Sequence, residues 1–352
     1  MTDVLRNGGW LGPDGRVAGL RVGRVGGAGL VGTVDRVWLD YSGTAGSAPE
    51  SLIVKYPPAG SADSSTLALA EARFYRERVH ESAGVRVPTV YHCAIDEVAG
   101  TCLLLLEDLG DGGFVRQRDG CDPARATLAL DEVVRLHGHW WNRDLPAGLN
   151  WVRDPVDAEI STFCLRWLRA YTGDWPAMLG EVPRLLIAHF DALAERLSRA
   201  PRTLVHGDFH SQNLAFGGDD ADPTVTLIDF QFVQRATGMV DVARFLATSL
   251  TTETRRAVDA DLLRHYHARL AEYGVTGYLF DESLDDFRAA LVWNLATPLA
   301  LHVKEILTQG GRRRGEFPIL QRCLQAIEDW DALTVLSSLS VNSTPPTFCR
   351  SV

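Results

Sequence analysis

Asp208, Asn213 and Asp229 have the types and spacing to do chemistry together. The first two stand in Leu204-Val205-His206-Gly207-Asp208-Phe209-His210-Ser211-Gln212-Asn213, the third in Val225-Thr226-Leu227-Ile228-Asp229-Phe230-Gln231. Each stretch reads as a short apolar strand ending in a carboxylate, with an amide five residues after the first. A carboxylate so placed can receive the proton of a nucleophilic hydroxyl. An amide and a second carboxylate offer the hard oxygen ligands that Mg²⁺ takes beside phosphates. Asp-x-x-x-x-Asn followed by a further Asp is an order used for phosphoryl transfer. The blander alternative makes His206-Gly207-Asp208 a turn and Asp229 a strand end; the joint order and spacing favour the chemical reading.

Such a set needs a scaffold upstream, and the chain offers one. Residues 17 to 25 read as a strand, followed by Gly26-Gly27-Ala28-Gly29-Leu30-Val31-Gly32-Thr33-Val34. Gly27, Gly29 and Gly32 form a G-x-G-x-x-G, which a dinucleotide-binding fold would follow with a helix. Thr33 to Tyr41 is instead β-branched and aromatic, hence a strand. Strand, glycine loop, strand suits a loop whose backbone N–H groups approach a triphosphate, although a glycine-rich hairpin reads similarly. Leu52-Ile53-Val54-Lys55 is a buried strand ending in lysine. From Ser64 the spacing of Leu67, Ala70, Phe74 and Arg78 predicts a helix, with Glu71 among its apolar positions. A carboxylate on a buried stripe needs a partner, and Lys55 is the natural one; Glu77, opposite the stripe, reads as solvated. Val87 to Tyr91 and Thr101 to Leu106 complete a small sheet, and Glu107-Asp108-Leu109-Gly110 then reads as a hinge.

Beyond Gly113 the pattern turns helical, near 123–142, 156–172, 181–199, 251–273 and 282–308. His137 and His139 lack a nearby acid or thiol in sequence and read as packed or capping rather than metal-binding. Asp241 reads as a helix cap, or as a scaffold beneath the Asp208 loop. Arg312 to Arg314 reads as a solvated loop, and the residues from Ser337 as a loosely held tail.

Composition narrows the class. The 352 residues suffice for about two domains, and 46% hydrophobic with 23% charged residues is ordinary for a globular protein. No apolar run nears the ~18 residues of a membrane span, and Met1 to Gly9 has no signal h-region, so a cytoplasmic protein without membrane contact is expected. Six scattered cysteines without a C-x-x-C pair argue for reduced thiols. A net charge of −10 argues against nucleic-acid binding. Of 35 basic residues only Lys55 and Lys304 are lysines, so a lysine marks a place where a compact ammonium matters.

Taken together, Gly29-Leu30-Val31-Gly32, Leu52-Ile53-Val54-Lys55, Glu71-x-x-Phe74-Tyr75, Leu106-Glu107-Asp108-Leu109, His206-Gly207-Asp208-x-x-x-x-Asn213, Ile228-Asp229-Phe230-Gln231 and Asp241-Val242-Ala243-Arg244-Phe245 resemble the aminoglycoside phosphotransferase and choline kinase superfamily. This is a branch of the protein-kinase-like fold, and the pattern is most similar to its ecdysteroid-kinase-like group. The resemblance implies an α+β, two-lobed fold. Residues 1–108 would form an antiparallel-sheet nucleotide-binding lobe with one main helix, and residues 109–352 a larger helical catalytic and substrate lobe. It implies ATP and Mg²⁺ as cofactors, with transfer of the γ-phosphate to a small-molecule hydroxyl. By position Asp208 becomes the base, Asn213 and Asp229 the metal ligands, Lys55 a phosphate contact and Glu71 its anchor. Gly27, Gly29 and Gly32 would cover the phosphates, and Glu107 to Leu109 would meet adenine. His206 would hold the loop, and His210 would touch phosphate or substrate. Only 11 residues separate Asp229 from Asp241 and no A-P-E follows, so a protein acceptor is not expected. The metal motif is Asp-Phe-Gln, without the glycine hinge of protein-kinase switching. The acceptor expected first is a secondary metabolite or antibiotic, with a primary-metabolite alcohol such as choline or an amino sugar second. A pseudokinase that binds nucleotide without turnover is the reading from a different class.

Overall fold

The structure, a computed structural model, describes residues 1–25, 33–57, 62–175, 177–199, 201–219, 221–308 and 318–339. Gly27, Gly29, Gly32 and Arg312 to Arg314 lie outside these residues, as does the chain from 340 on.

Helix α1 (Thr2–Asn7) precedes strands β1 (Arg16–Arg24), β2 (Thr33–Ser42) and β3 (Ser51–Tyr56); helices α2 (Ala62–Arg76) and α3 (Val79–Ala83) then lead to β4 (Val90–Asp96) and β5 (Thr101–Glu107). These strands form one antiparallel sheet in the order β1-β2-β3-β5-β4. Alternation along β3 decides what each face does. Leu52 is fully buried in a small core with Leu5, Leu11, Val37 and Leu39, whereas Ile53 and Lys55 line the cleft. α2 lies against the sheet, where the Cys93 thiol of β4 and the Cys102 thiol of β5 donate to the Ala72 and Ala68 carbonyls, so the lysine of β3 and the acid of α2 are presented to each other. The strand expected at 87–91 starts only at Val90. Thr89 just before it is held by Glu107, whose N–H donates to its carbonyl at 2.9 Å and whose carboxylate accepts its N–H and hydroxyl at 2.9 Å.

The remainder is mostly helical: α4 (Pro123–Trp140), α5 (Glu159–Ala170), α6 (Val182–Arg199), α7 (Met239–Ser249), α8 (Thr252–Glu272), α9 (Phe280–Asn294), α10 (Ala296–Thr308) and α11 (Pro318–Asp329). Asp122 caps α4, accepting Arg125 N–H at 2.8 Å ahead of a proline at the first position. The single segment expected over 282–308 is two helices divided at Leu295. Between α6 and α7 run β6 (Thr203–Val205), β7 (Leu214–Gly218), β8 (Pro223–Leu227) and β9 (Gln234–Ala236), pairing β6 with β9 and β7 with β8. Every residue of α7 is buried, making it the post on which the β6–β7 loop rests. Among the described residues no helix is long and apolar enough to cross a membrane.

Candidate active site

Two loops bring the chemistry together. The β7–β8 hairpin pairs Leu214 with Leu227, and Ile228 N–H donates to the Asn213 carbonyl at 3.0 Å, so the amide and Asp229 leave neighbouring strand ends. Asp208 sits on the loop entering β7. At Gly207, φ is +80° and a Cβ would stand 2.0 Å from the Phe232 carbonyl, so only glycine fits before it. Asp229 has φ 70° and ψ 58°, a left-handed conformation unfavourable for a side-chain residue and frequent where function dictates geometry.

Lys55, Glu71, Asp208, His210, Asn213 and Asp229 all line one cleft of about 590 Å³, walled on its apolar side by residues that include Val34, Ile53, Leu104, Leu106 and Ile228. Lys55 Nζ lies 2.8 and 3.1 Å from the Glu71 carboxylate oxygens and 3.1 Å from Asp229 Oδ1. Burial works against the lysine's charge, but Asp229 and Glu71 outweigh it and hold the ammonium above its ordinary range. Burial pushes the Glu71 carboxyl up against the pull of Lys55. Glu77, the rival, pairs with Arg76 at 3.0 Å instead.

Asp208 is 8% exposed. Burial alone would raise its carboxyl, yet Arg244 and His210 hold it well below the usual carboxylate range. Arg244 Nη2 donates to Asp208 Oδ1. On the other oxygen, Oδ2, His210 Nε2 and Asn213 Nδ2 each approach to 3.4 Å. Asn213 also gives Nδ2 to the Asp208 carbonyl at 2.9 Å, which leaves its Oδ1 as the end able to meet a cation. Gln231 Nε2 reaches Asp229 Oδ2 at 3.3 Å. Lys55 and Arg244 set against Glu71, Asp208 and Asp229 leave one negative charge in excess, a balance suited to a divalent cation. Among the described residues no three His, Cys, Asp or Glu side chains gather at ion-binding distance. One amide and one acid is nonetheless a donor set of the kind Mg²⁺ accepts when phosphates complete its shell.

The loop is held from below. Asp241 accepts His206 N–H at 2.6 Å and Gly207 N–H at 2.8 Å, and His137 Nε2 lies 3.1 Å from the same carboxylate. His137 Nδ1 meets the Tyr266 hydroxyl at 2.8 Å, with both Asp241 and His137 fully buried. Asp241 therefore does not cap α7, whose N-cap is Gly238; it is the scaffold beneath the loop. His206 faces away from the cleft, with Nε2 2.8 Å from the Ile228 carbonyl and its ring 4.6 Å from Phe230. Phe230 in turn stacks on Phe74 of α2 at 3.8 Å. His139 packs edge-on against Trp140.

At the hinge Glu107 and Leu109 line the cleft, but the Glu107 carboxylate is committed to Thr89. Asp108 binds Arg36 Nε at 2.7 Å and Ser51 Oγ at 2.7 Å. Neither acid is the solvated turn residue a bare sequence allows.

Three contacts escaped the sequence reading: Arg36 with Asp108, Gln231 with Asp229, and Arg244 with Asp208. Only the last left a trace in the sequence. Arg244 stands three residues after Asp241, one helical turn along, so whatever loop one of them meets the other meets too.

Three comparisons with known proteins bear on this site. The pattern of the phosphotransferase enzyme family matches residues 33–278. No curated protein matches the chain in sequence. Among solved structures, an ethanolamine kinase of Plasmodium vivax is similar at 14% identity, covering 93% of this chain and 85% of that one, with a TM-score of 0.52. A choline/ethanolamine kinase family protein from Mesorhizobium loti is similar at 16% identity, 92% and 94% coverage and a TM-score of 0.55. The GDP complex of an aminoglycoside 2'-phosphotransferase is similar at 12% identity, 92% and 95% coverage and a TM-score of 0.54. At these identities the likeness speaks to the fold.

Proposed function

This chain belongs to the phosphotransferase enzyme family, a small-molecule kinase acting on hydroxyl groups, and on that premise we propose that it moves the γ-phosphate of ATP to a secondary metabolite or antibiotic. The observation that carries the reading is the meeting of Lys55, Glu71, Asp208, Asn213 and Asp229 in one cleft between the sheet and the helical part. On this reading residues 1–108 serve the nucleotide, and residues 109–352 serve catalysis and the acceptor.

Asp208 orients the acceptor hydroxyl through the oxygen facing the cleft and receives its proton as the new O–P bond forms and the bond from the γ-phosphorus to the bridging oxygen breaks, releasing ADP. Lys55, held by Glu71, offers its ammonium to the donor's phosphates. Asn213 through Oδ1 and Asp229 through its carboxylate would hold Mg²⁺, which when bound neutralises phosphate charge. Gln231 and the left-handed backbone of Asp229 keep that carboxylate turned inward. The glycine loop Gly27 to Gly32 covers the phosphates on this reading, and Glu107 to Leu109 border the purine. His210, 3.4 Å from Asp208, is placed to touch phosphate or acceptor. The residues contribute positioning and charge complementarity, which dominate phosphoryl transfer.

The second reading, a primary-metabolite amino alcohol as acceptor, draws support from the ethanolamine and choline kinases that share the fold. Unpaired thiols on the described cysteines fit a reducing, cytoplasmic setting where ATP is available. Measuring ATP consumption by the full chain across alcohols, sugars and hydroxylated antibiotics, with and without Mg²⁺, tests the proposal. Mg²⁺-dependent stimulation by an antibiotic or other secondary metabolite supports it, stimulation by choline or ethanolamine alone shifts it to the second reading, and no stimulation by any acceptor overturns both.

A further inference from the structure

Arg244 is only about a tenth exposed, yet carries a charge that burial makes costly unless it is paired. Among the described residues Asp208 is its one carboxylate partner. Thr248 donates its hydroxyl to the Arg244 carbonyl, and burial pushes the Cys164 thiol, which feels the Arg244 charge, up to about 12 and that of Cys323 to about 11, so neither offers it a second anion. Asp208 lines the cleft and Arg244 does not, so the guanidinium takes the carboxylate from behind. The contact divides the carboxylate. Oδ1 is occupied by Arg244, while Oδ2 is approached by His210 and Asn213, both of which line the cleft. Arg244 also shares α7 with Asp241, which holds the backbone of the same loop through His206 and Gly207. One helix thus grips both the main chain of the loop and the side chain of its aspartate.

We propose that Arg244 is a positioning residue for phosphoryl transfer: it holds Asp208 by Oδ1 so that Oδ2 alone is presented to the attacking hydroxyl. The inference rests on the phosphotransfer reading above. Without the guanidinium, Asp208 keeps its charge site but loses its fixed direction, and it can swing toward the cationic groups of the cleft. The defect then falls on turnover, because Arg244 itself does not line the cleft.

The test uses the full chain and MgATP, with water as the acceptor, so that no acceptor need be known. Arg244→Met should lower kcat for ATP consumption about tenfold or more, leave KM for MgATP within about threefold, and be largely restored in Arg244→Lys, which returns a donor cation to the same place. In Asp208→Asn the further change Arg244→Met should cost less than about threefold, since the arginine acts through the aspartate. Should Arg244→Met not fold, the paired comparison of Asp208→Asn with the double variant still decides, because losing both partners is far less disruptive than losing one. An unchanged kcat in a folded Arg244→Met, or losses that multiply in the double variant, would overturn the proposal alone. A wild-type chain that consumes no MgATP with water or any acceptor would overturn the phosphotransfer reading, and this inference with it.

Discussion

Arg244 and Arg255 lie eleven positions apart, both withdrawn from water and both facing aspartate, yet their surroundings differ. Arg255 is 1% exposed and bridges two carboxylates, Asp259 one turn along α8 at 2.9 Å and Asp329 at the end of α11. The joint is redundant. Arg256 also binds Asp329, at 2.7 and 2.9 Å, and Trp330 donates to Asp259 at 2.8 Å. Among the described residues Arg244 has one carboxylate, and that carboxylate opens onto the cleft. The same chemistry therefore makes a helix joint in one place and a tool holder in the other. What separates them is where the acid opens: Asp208 onto the cleft, Asp329 onto the outer surface, with Asp259 enclosed.

Removing the tool should have the largest effect. Asp208→Ala should lower turnover roughly 10²–10⁴-fold, about 3–5 kcal/mol of barrier. Asp208→Asn should match it in rate while holding a higher urea midpoint, since an amide still accepts from Arg244. Arg255→Met is the mirror case: it should cost about 1–3 kcal/mol of stability, because buried Asp259 keeps only the Trp330 N–H while Asp329 keeps Arg256, with kcat and KM of the folded fraction within a few-fold of wild type. A large kinetic defect there would break the comparison. Lys55→Met should lower kcat/KM for MgATP roughly 10²-fold and also lower the melting temperature, since buried Glu71 loses its cation. His137→Phe should cost about 1–3 kcal/mol, because Asp241 and Tyr266 each lose a buried partner; its effect on kcat should be the smaller part, read by urea unfolding beside a rate assay. The gentlest test is acid. Arg256 and Arg255 hold the Asp329 carboxyl below its usual range, so its contribution is complete above the unfolded value near pH 4 and fades as pH falls further. Asp329→Asn should flatten that limb of a urea-midpoint profile.

The set of Asp208, Asn213 and Asp229 was legible because its order is local: Asp208 and Asn213 share one loop, and Asp229 follows the hairpin that this loop leads into. Glu71 was legible for another reason, since an acid on a buried helical stripe demands a cation and β3 ends in one. Arg244 is harder to read: it shares a helix face with Asp241, but that spacing alone does not tell that their common loop is the one carrying Asp208. Asp241 looked like a cap because acids do favour first turns; its true partners, His206 and Gly207, lie 35 and 34 residues away. The helix α11 carries the 3–4 spacing of Leu320, Cys323, Ala326 and Ile327 and was readable, but went unread beside the arginine run. Conversely the break at Leu295 did leave a sign in Asn294 and Pro298, since a proline suits the first turn of a new helix and not the interior of an old one, but the apolar spacing runs on across it.

The most direct test follows the phosphate itself. Phosphorus NMR of full-length protein with MgATP and the acceptors that stimulate ATP loss should show a new phosphate monoester growing as ATP declines, and Asp208→Ala should slow its growth by at least about a hundredfold. Inorganic phosphate as the sole product with every acceptor, or an ester formed equally fast by Asp208→Ala, would contradict the account.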